Sequence, residues 1–300
     1  MNYWKIENKE LPSLGKFYND NFEIRIRTLT VQDVKYLATF NKNNAITITN
    51  ELLRRCLKLK NLNFEDIILG DREYFIFWIR TNSFIRSSGY SIKINECPTC
   101  HNPIEQEVKL ASFKTDNIID KVDTVFLNGL NISMPLKQPR IKDLMEARLV
   151  ENDEFLDLAL YIDSDNSLQD KAKFIMNLSG LDFVVLKEAI EKLKCGIKKD
   201  IKVECPICHE FSEVKLVVSD ENMFSHTSIK EILELITRIA KYTHLQITDD
   251  WPWMEVEIEQ EIVNAMIKAE NEETQKEINK AKSKMNSVHT PSSHVSVPKI

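Results

Sequence analysis

Glycine is scarce in this chain of 300 residues, with six in all, and neither a GxGxxG nor a GxxxxGKS/T stretch occurs. Backbone cradles for nucleotide phosphates are therefore excluded. An excess of positive charge is missing too, since 40 basic residues stand against 46 acidic ones for a formal net charge of −6. That balance lacks the electrostatic footprint of a duplex-binding protein, and no nucleic acid is expected as partner. No apolar run approaches the roughly 18 residues that a membrane helix needs. Residues 1–7 show neither the charged nor the apolar region of a secretory signal, so a soluble, unprocessed intracellular product is expected. Cysteine is sparse at six, which suits a reducing compartment better than a disulfide framework. With 43 % hydrophobic residues the chain can nonetheless bury a sizeable core.

Four of the six cysteines fall in one pattern that occurs twice. Glu96-Cys97-Pro98-Thr99-Cys100-His101 and Glu204-Cys205-Pro206-Ile207-Cys208-His209 share ECPxCH, and each is followed shortly by Glu-Val-Lys-Leu, at residues 107–110 and 213–216. Four thiolates complete a tetrahedral structural zinc site, and a two-residue spacer lets both sulfurs of a pair turn toward one ion. Cys97, Cys100, Cys205 and Cys208 are the expected ligands of one Zn2+. The 104 residues between Cys100 and Cys205 rule out a compact finger; a whole subdomain must lie between the halves of the site. Loop-closure entropy grows only logarithmically with length, so a metal clip between such distant segments is affordable in free energy.

Other chemistries compete for the same residues. A redox dithiol wants its first thiol at a helix N-terminus, whereas strand-like runs flank each pair here. A nucleobase deaminase places HxE before PCxxC, and no histidine precedes His101. His101 and His209 each follow a knuckle and are candidate replacement ligands, but such residues more often serve nearby backbone.

Along the chain, residues 11–18 (LPSLGKFY) read as a bent lead-in, residues 22–27 as a strand, and residues 30–40 as a helix capped by Thr30 with Asp33. A helix through Leu52, Leu53, Cys56 and Leu57 and another over residues 63–84 precede the first knuckle. The order then restarts: a turn and strand over residues 125–135, helices at residues 139–150, 152–162, 167–178 and 181–194, and the second knuckle. Equivalent cysteines are offset by 108 residues, which points to a duplicated unit. The expected fold is α+β: two pseudo-repeated strand-helix-hairpin lobes joined at a four-cysteine, zinc-ribbon-like site, plus a C-terminal helical extension. The lobes span residues 1–115 and 116–222, the helical pair 223–285, and a disordered tail 286–300. In the pair, Ser228 caps a helix striped with Ile229, Ile232, Leu233, Ile236 and Ile239. Asp249 and Asp250 are expected to cap a second that runs to about residue 284, almost wholly charged in its later part.

The LPSxGxFY lead-in, the following strand with Leu29-Thr30-Val31-Gln32-Asp33, the two CPxC knuckles, and a helical pair joined through Trp251-Pro252-Trp253 resemble the baseplate hub assembly family of T4-like contractile-tailed phages. The likeness runs over residues 11–265. Two departures are the loose Ser88-Gly89-Tyr90 where a Tyr-Gly is usual, and a long tail after Met266. The resemblance implies a non-enzymatic role: forming the central baseplate hub, or helping it assemble, before the tail tube grows. Its implied partners are other hub or tail proteins, with no small-molecule substrate and no membrane, in the host cytoplasm during assembly or in the tail of the virion. Two further readings are a zinc-ribbon nucleic-acid accessory factor, for which Lys93, Lys109, Lys202 and Lys215 lack interleaved aromatics, and a CPxC thiol oxidoreductase.

Overall fold

A computed structural model of the chain describes residues 2–41, 44–85, 89–94, 96–109, 113–147, 154–215, 223–224 and 228–288. The expected tail from residue 289 lies outside them; residues 286–288, placed in that tail by sequence, instead continue the last helix. Strand β1 (Trp4–Ile6) pairs antiparallel with β2 (Glu23–Ile26), whose alternation sends Ile24 and Ile26 inward and Arg25 outward. Helix α1 (Val31–Leu37) opens on a capping box, Asp33 N–H donating to Thr30 Oγ1 and the Asp33 carboxylate accepting from Thr30 N–H. It ends at Leu37 rather than Phe40, with Ala38 as its C-cap.

Helix α2 (Ala45–Cys56) passes directly into β3 (Leu57–Lys60), which completes a three-stranded sheet in the order β1-β2-β3. Leu57 is thus the first residue of a strand rather than part of the helix. Helix α3 (Leu69–Ser83) starts later than residue 63, because Phe64–Asp66 is a separate 3-10 turn and Ile67 and Ile68 are extended. Strands β4 (Gly89–Ile94) and β5 (Ile104–Lys109) form the hairpin that carries the first knuckle.

After β6 (Thr115–Asp116), a hairpin of β7 (Thr124–Leu127) and β8 (Ile132–Pro135) leads to α4 (Ile141–Ala147), α5 (Glu154–Ala159), α6 (Leu168–Met176) and α7 (Gly180–Leu193). The expected helical stretches around residues 148–153 fall outside the described residues. Strand β9 (Gly196–Ile197) returns to pair with β6, and β10 (Asp200–Glu204) with β11 (Phe211–Lys215) carries the second knuckle. Helices α8 (Ile229–Thr243) and α9 (Trp253–Val288) close the chain. Ser228 caps α8 through a box with Glu231. Asp249 does not cap α9: its carboxylate takes Lys35 at 2.6 Å, and Pro252 stands just before the first helical residue.

Two principal cores result. The first gathers the β1-β2-β3 sheet, α1 to α3, and Ile232, Ile239, Trp253, Val256 and Val263 from the last two helices. The second lies among β7, β8 and α5 to α7. Each half sets strands and helices ahead of its knuckle hairpin. Their bodies differ, since β2 pairs on both sides whereas, among the described residues, β8 pairs only with β7.

Candidate metal centre

Each knuckle is a tight turn hung between hairpin strands, and the two share one hydrogen-bond pattern. Cys97 N–H donates to the Asn102 carbonyl at 2.8 Å and His101 N–H to the Cys97 carbonyl at 3.0 Å; Cys205 N–H donates to Glu210 at 2.9 Å and His209 N–H to Cys205 at 3.0 Å. Both histidines are left-handed, with φ of 59° at each, a conformation that His adopts more readily than most side chains. That kink turns both thiols of a pair to the same side.

The four sulfurs converge. Cys97 and Cys205 are fully buried, Cys100 and Cys208 half-buried, and all four Sγ atoms lie within 4.8 Å of one another. Two close approaches cross between knuckles, 3.7 Å for Cys97 to Cys208 and 3.6 Å for Cys100 to Cys205. A tetrahedron of thiolates at about 2.3 Å from a metal has sulfur–sulfur edges of about 3.8 Å. The donor set therefore fits a metal ion in size and chemistry. A disulfide would need about 2.05 Å, and these cysteines are free.

Hydrogen bonds from the Asn102 side chain and backbone lower the Cys100 thiol to about 6, making it a ready first ligand at neutral pH. At Cys208 the backbone of Glu210 pulls the thiol down, but burial and the facing sulfurs outweigh it and push it up to about 12. Binding a cation there must release protons. Beneath the sulfurs Ile104 and Val203 form a small third core with Phe113, Ile201 and Val214 around it. Phe113 stacks on Phe77 of α3 at 5.6 Å, tying that core to the first.

The histidines turn away from the cluster. His101 Nδ1 meets Glu96 at 2.6 Å and His209 Nδ1 meets Glu204 at 2.8 Å, with both rings largely exposed. The repeated ECPxCH thus explains its outer letters: Glu and His brace each knuckle from outside. Cys56 and Cys195 lie elsewhere, their thiols raised by burial, Cys56 to about 12. On the hairpin arms Lys202 pairs with Glu213 at 3.7 Å; the side chains of Lys93, Lys109 and Lys215 are outside the description.

The family model described as T4 bacteriophage base plate protein matches residues 3–224. The chain belongs to that family. Searches of curated proteins and of solved structures give no match.

The motif segments of this base plate family chain meet one another in space. Within residues 11–18, Leu11 and Tyr18 face the first core while Leu14 and Phe17 face the second, so the lead-in is a wedge between the two bodies. Its anchor is Asp71 at the start of α3, which accepts from Ser13 N–H at 2.9 Å, Ser13 Oγ at 2.6 Å and Tyr18 Oη at 2.6 Å. Sequence reading did not single out Asp71; the hydroxyls of Ser13 and Tyr18, set among apolar neighbours, were the signal that a buried acceptor waits for them. Likewise Val31 N–H donates to Trp251, Gln32 N–H to Asp249 and Trp253 N–H to Leu29, so the Trp-Pro-Trp link satisfies the open end of α1. Among the described residues no helix is long and apolar enough to cross a membrane.

Proposed function

We propose that this chain is a non-enzymatic structural or assembly protein of the central baseplate hub, acting through protein contacts in tail morphogenesis and stapled by one structural Zn2+ on Cys97, Cys100, Cys205 and Cys208. The observation that carries the metal is the pair of 3.6 and 3.7 Å sulfur contacts between knuckles 108 residues apart; the base plate family carries the setting. Bound there, the ion acts as a crosslink with no open position for substrate. The shared hydrogen-bond pattern and left-handed His of the two knuckles support descent from one duplicated hairpin, making a zinc-ribbon-like junction between residues 1–115 and 116–222.

The test is elemental analysis of the purified protein with thiol titration before and after chelation. One zinc per chain and four thiols unmasked by the chelator are expected; a metal-free protein with a readily cycling disulfide would sink the structural-zinc reading. Co-expression with the phage's other hub and tail proteins should yield a co-purifying complex. Tight, salt-sensitive binding to single-stranded nucleic acid with no such complex would overturn the assembly role.

A further inference from the structure

Helix α9 has 36 residues and so runs about 54 Å, and the buried side chains among those described all fall in its first turns. Trp253, Val256 and Val263 are buried, and Gln260 and Ile267 half-buried, along one seam that faces α8 and the first core. At about 100° per residue the same side of the helix continues through Asn271, Thr274, Ile278 and Ala281. Helix α8 begins at Ile229, beside Ile267, where a groove of about 740 Å³ opens among Ile229, Leu233, Thr237, Tyr242 and Ile267. Past that groove every residue from Lys268 to Lys282 is exposed, Ile278 at 42 %. The same face thus runs on for roughly 20 Å, to Ala281, beyond the end of the helix it packs on.

Its charges say what covers it. Residues 270–277 hold four glutamates and one lysine; residues 278–288 hold three lysines and no acid. Two copies side by side in parallel would set like blocks together. Antiparallel, each acidic block lies along the other copy's basic block, and the changeover falls at Ile278. That register also puts Thr274 opposite Lys282, and it brings the tip of each helix at Val288 to Lys268, next to the groove at the root of the other. We propose that α9 pairs antiparallel with α9 of a second copy, centred on Ile278. A single pair of helices makes a small, reversible interface, so dimerisation depends on protein concentration.

Sedimentation of the full chain from about 1 to 200 µM should show a monomer–dimer equilibrium, which Ile278→Asp weakens at least tenfold. Ile278 is half-exposed on the projecting turn, so that variant keeps the monomer's thermal unfolding profile, which is the control for folding. Zero-length carbodiimide coupling of mixed heavy- and light-isotope chains should link Glu273 of one copy to Lys282 of the other. Within one helix those residues are about 13 Å apart and cannot couple. A chain that stays monomeric throughout, a dimer indifferent to Ile278→Asp, or links joining identical blocks would each overturn the pairing. None of these outcomes depends on the zinc or on the hub partners.

Discussion

Asp71 is nearly inaccessible, and three hydrogen bonds from Ser13 and Tyr18 end on it. Burial raises its carboxyl above the ordinary range while those donors pull it back. Because folding raises this pKa, its protonation favours the folded state fully below the ordinary carboxylate value, and that gain fades as pH climbs through the folded value. Asp71→Asn turns an amide N–H2 toward donors that need an acceptor, and a loss of about 2–3 kcal/mol in urea unfolding is expected. Tyr18→Phe, which removes one bond and leaves Ile68 N–H without its 3.0 Å acceptor, should cost about half as much. At the knuckle, His209→Gly keeps the left-handed turn at no steric cost, so metal content should stay at its wild-type value by elemental analysis; His209→Val, β-branched at φ of 59°, should lower it. Four cysteines were legible because a rare residue recurs in a fixed frame. Asp71 was not, because its partners lie 53 and 58 residues away, and nothing local marks an acid at a helix start as buried.

The helices that open on capping boxes and the alternating strand β2 were read well, and the shortest strands were not. The boxes at Thr30 and Ser228 are written in four adjacent letters, and both helices begin there. Strand β3 has only four residues and follows α2 without a break, so its alternating Leu57 and Leu59 merge with the helical stripe until β2 is seen beside it. The same holds for β6 and β9, two residues each. At the N-terminus of α1, Asp33 both closes the box and pairs with Arg27 at 2.6 Å, both side chains buried. Thr30→Ala should cost about 1 kcal/mol as a lost cap. Asp33→Ala should cost about 3–5 kcal/mol, because it strands a buried guanidinium as well. Equal losses for the two, read from thermal or urea midpoints, would mean that the Arg27 pair adds nothing beyond the cap. Gly70 marks another tight joint: a Cβ there would meet the Cys195 carbonyl at 2.4 Å, so Gly70→Ala must push α3 away from the start of β9.

The two bodies are fastened at more than one place, and this decides what a metal at the four cysteines would hold. Ile141 N–H bonds the Ile67 carbonyl at 2.9 Å and Leu69 N–H the Pro139 carbonyl at 3.0 Å, Arg140 and Lys142 reach Asp66 at 3.0 and 3.1 Å, and the lead-in wedges both cores. None of these contacts passes through the knuckles. The knuckle hairpins, by contrast, rest on a third core of four buried residues, two of them the cysteines themselves. Closing a loop of about 100 residues in an otherwise free chain would constrain the unfolded state by about 4–5 kcal/mol, but here the other fastenings already hold the lobes together, so the metal's effect should concentrate locally. Removing it with a chelator, or through Cys100→Ser, should therefore speed amide exchange in β4, β5, β10 and β11 by orders of magnitude and leave β1, β2 and β3 protected. If exchange mass spectrometry instead showed the β1-β2-β3 sheet opening together with the hairpins, the ion would be the keystone of the whole molecule, and the wedge at residues 11–18 would be too weak to hold the halves in register.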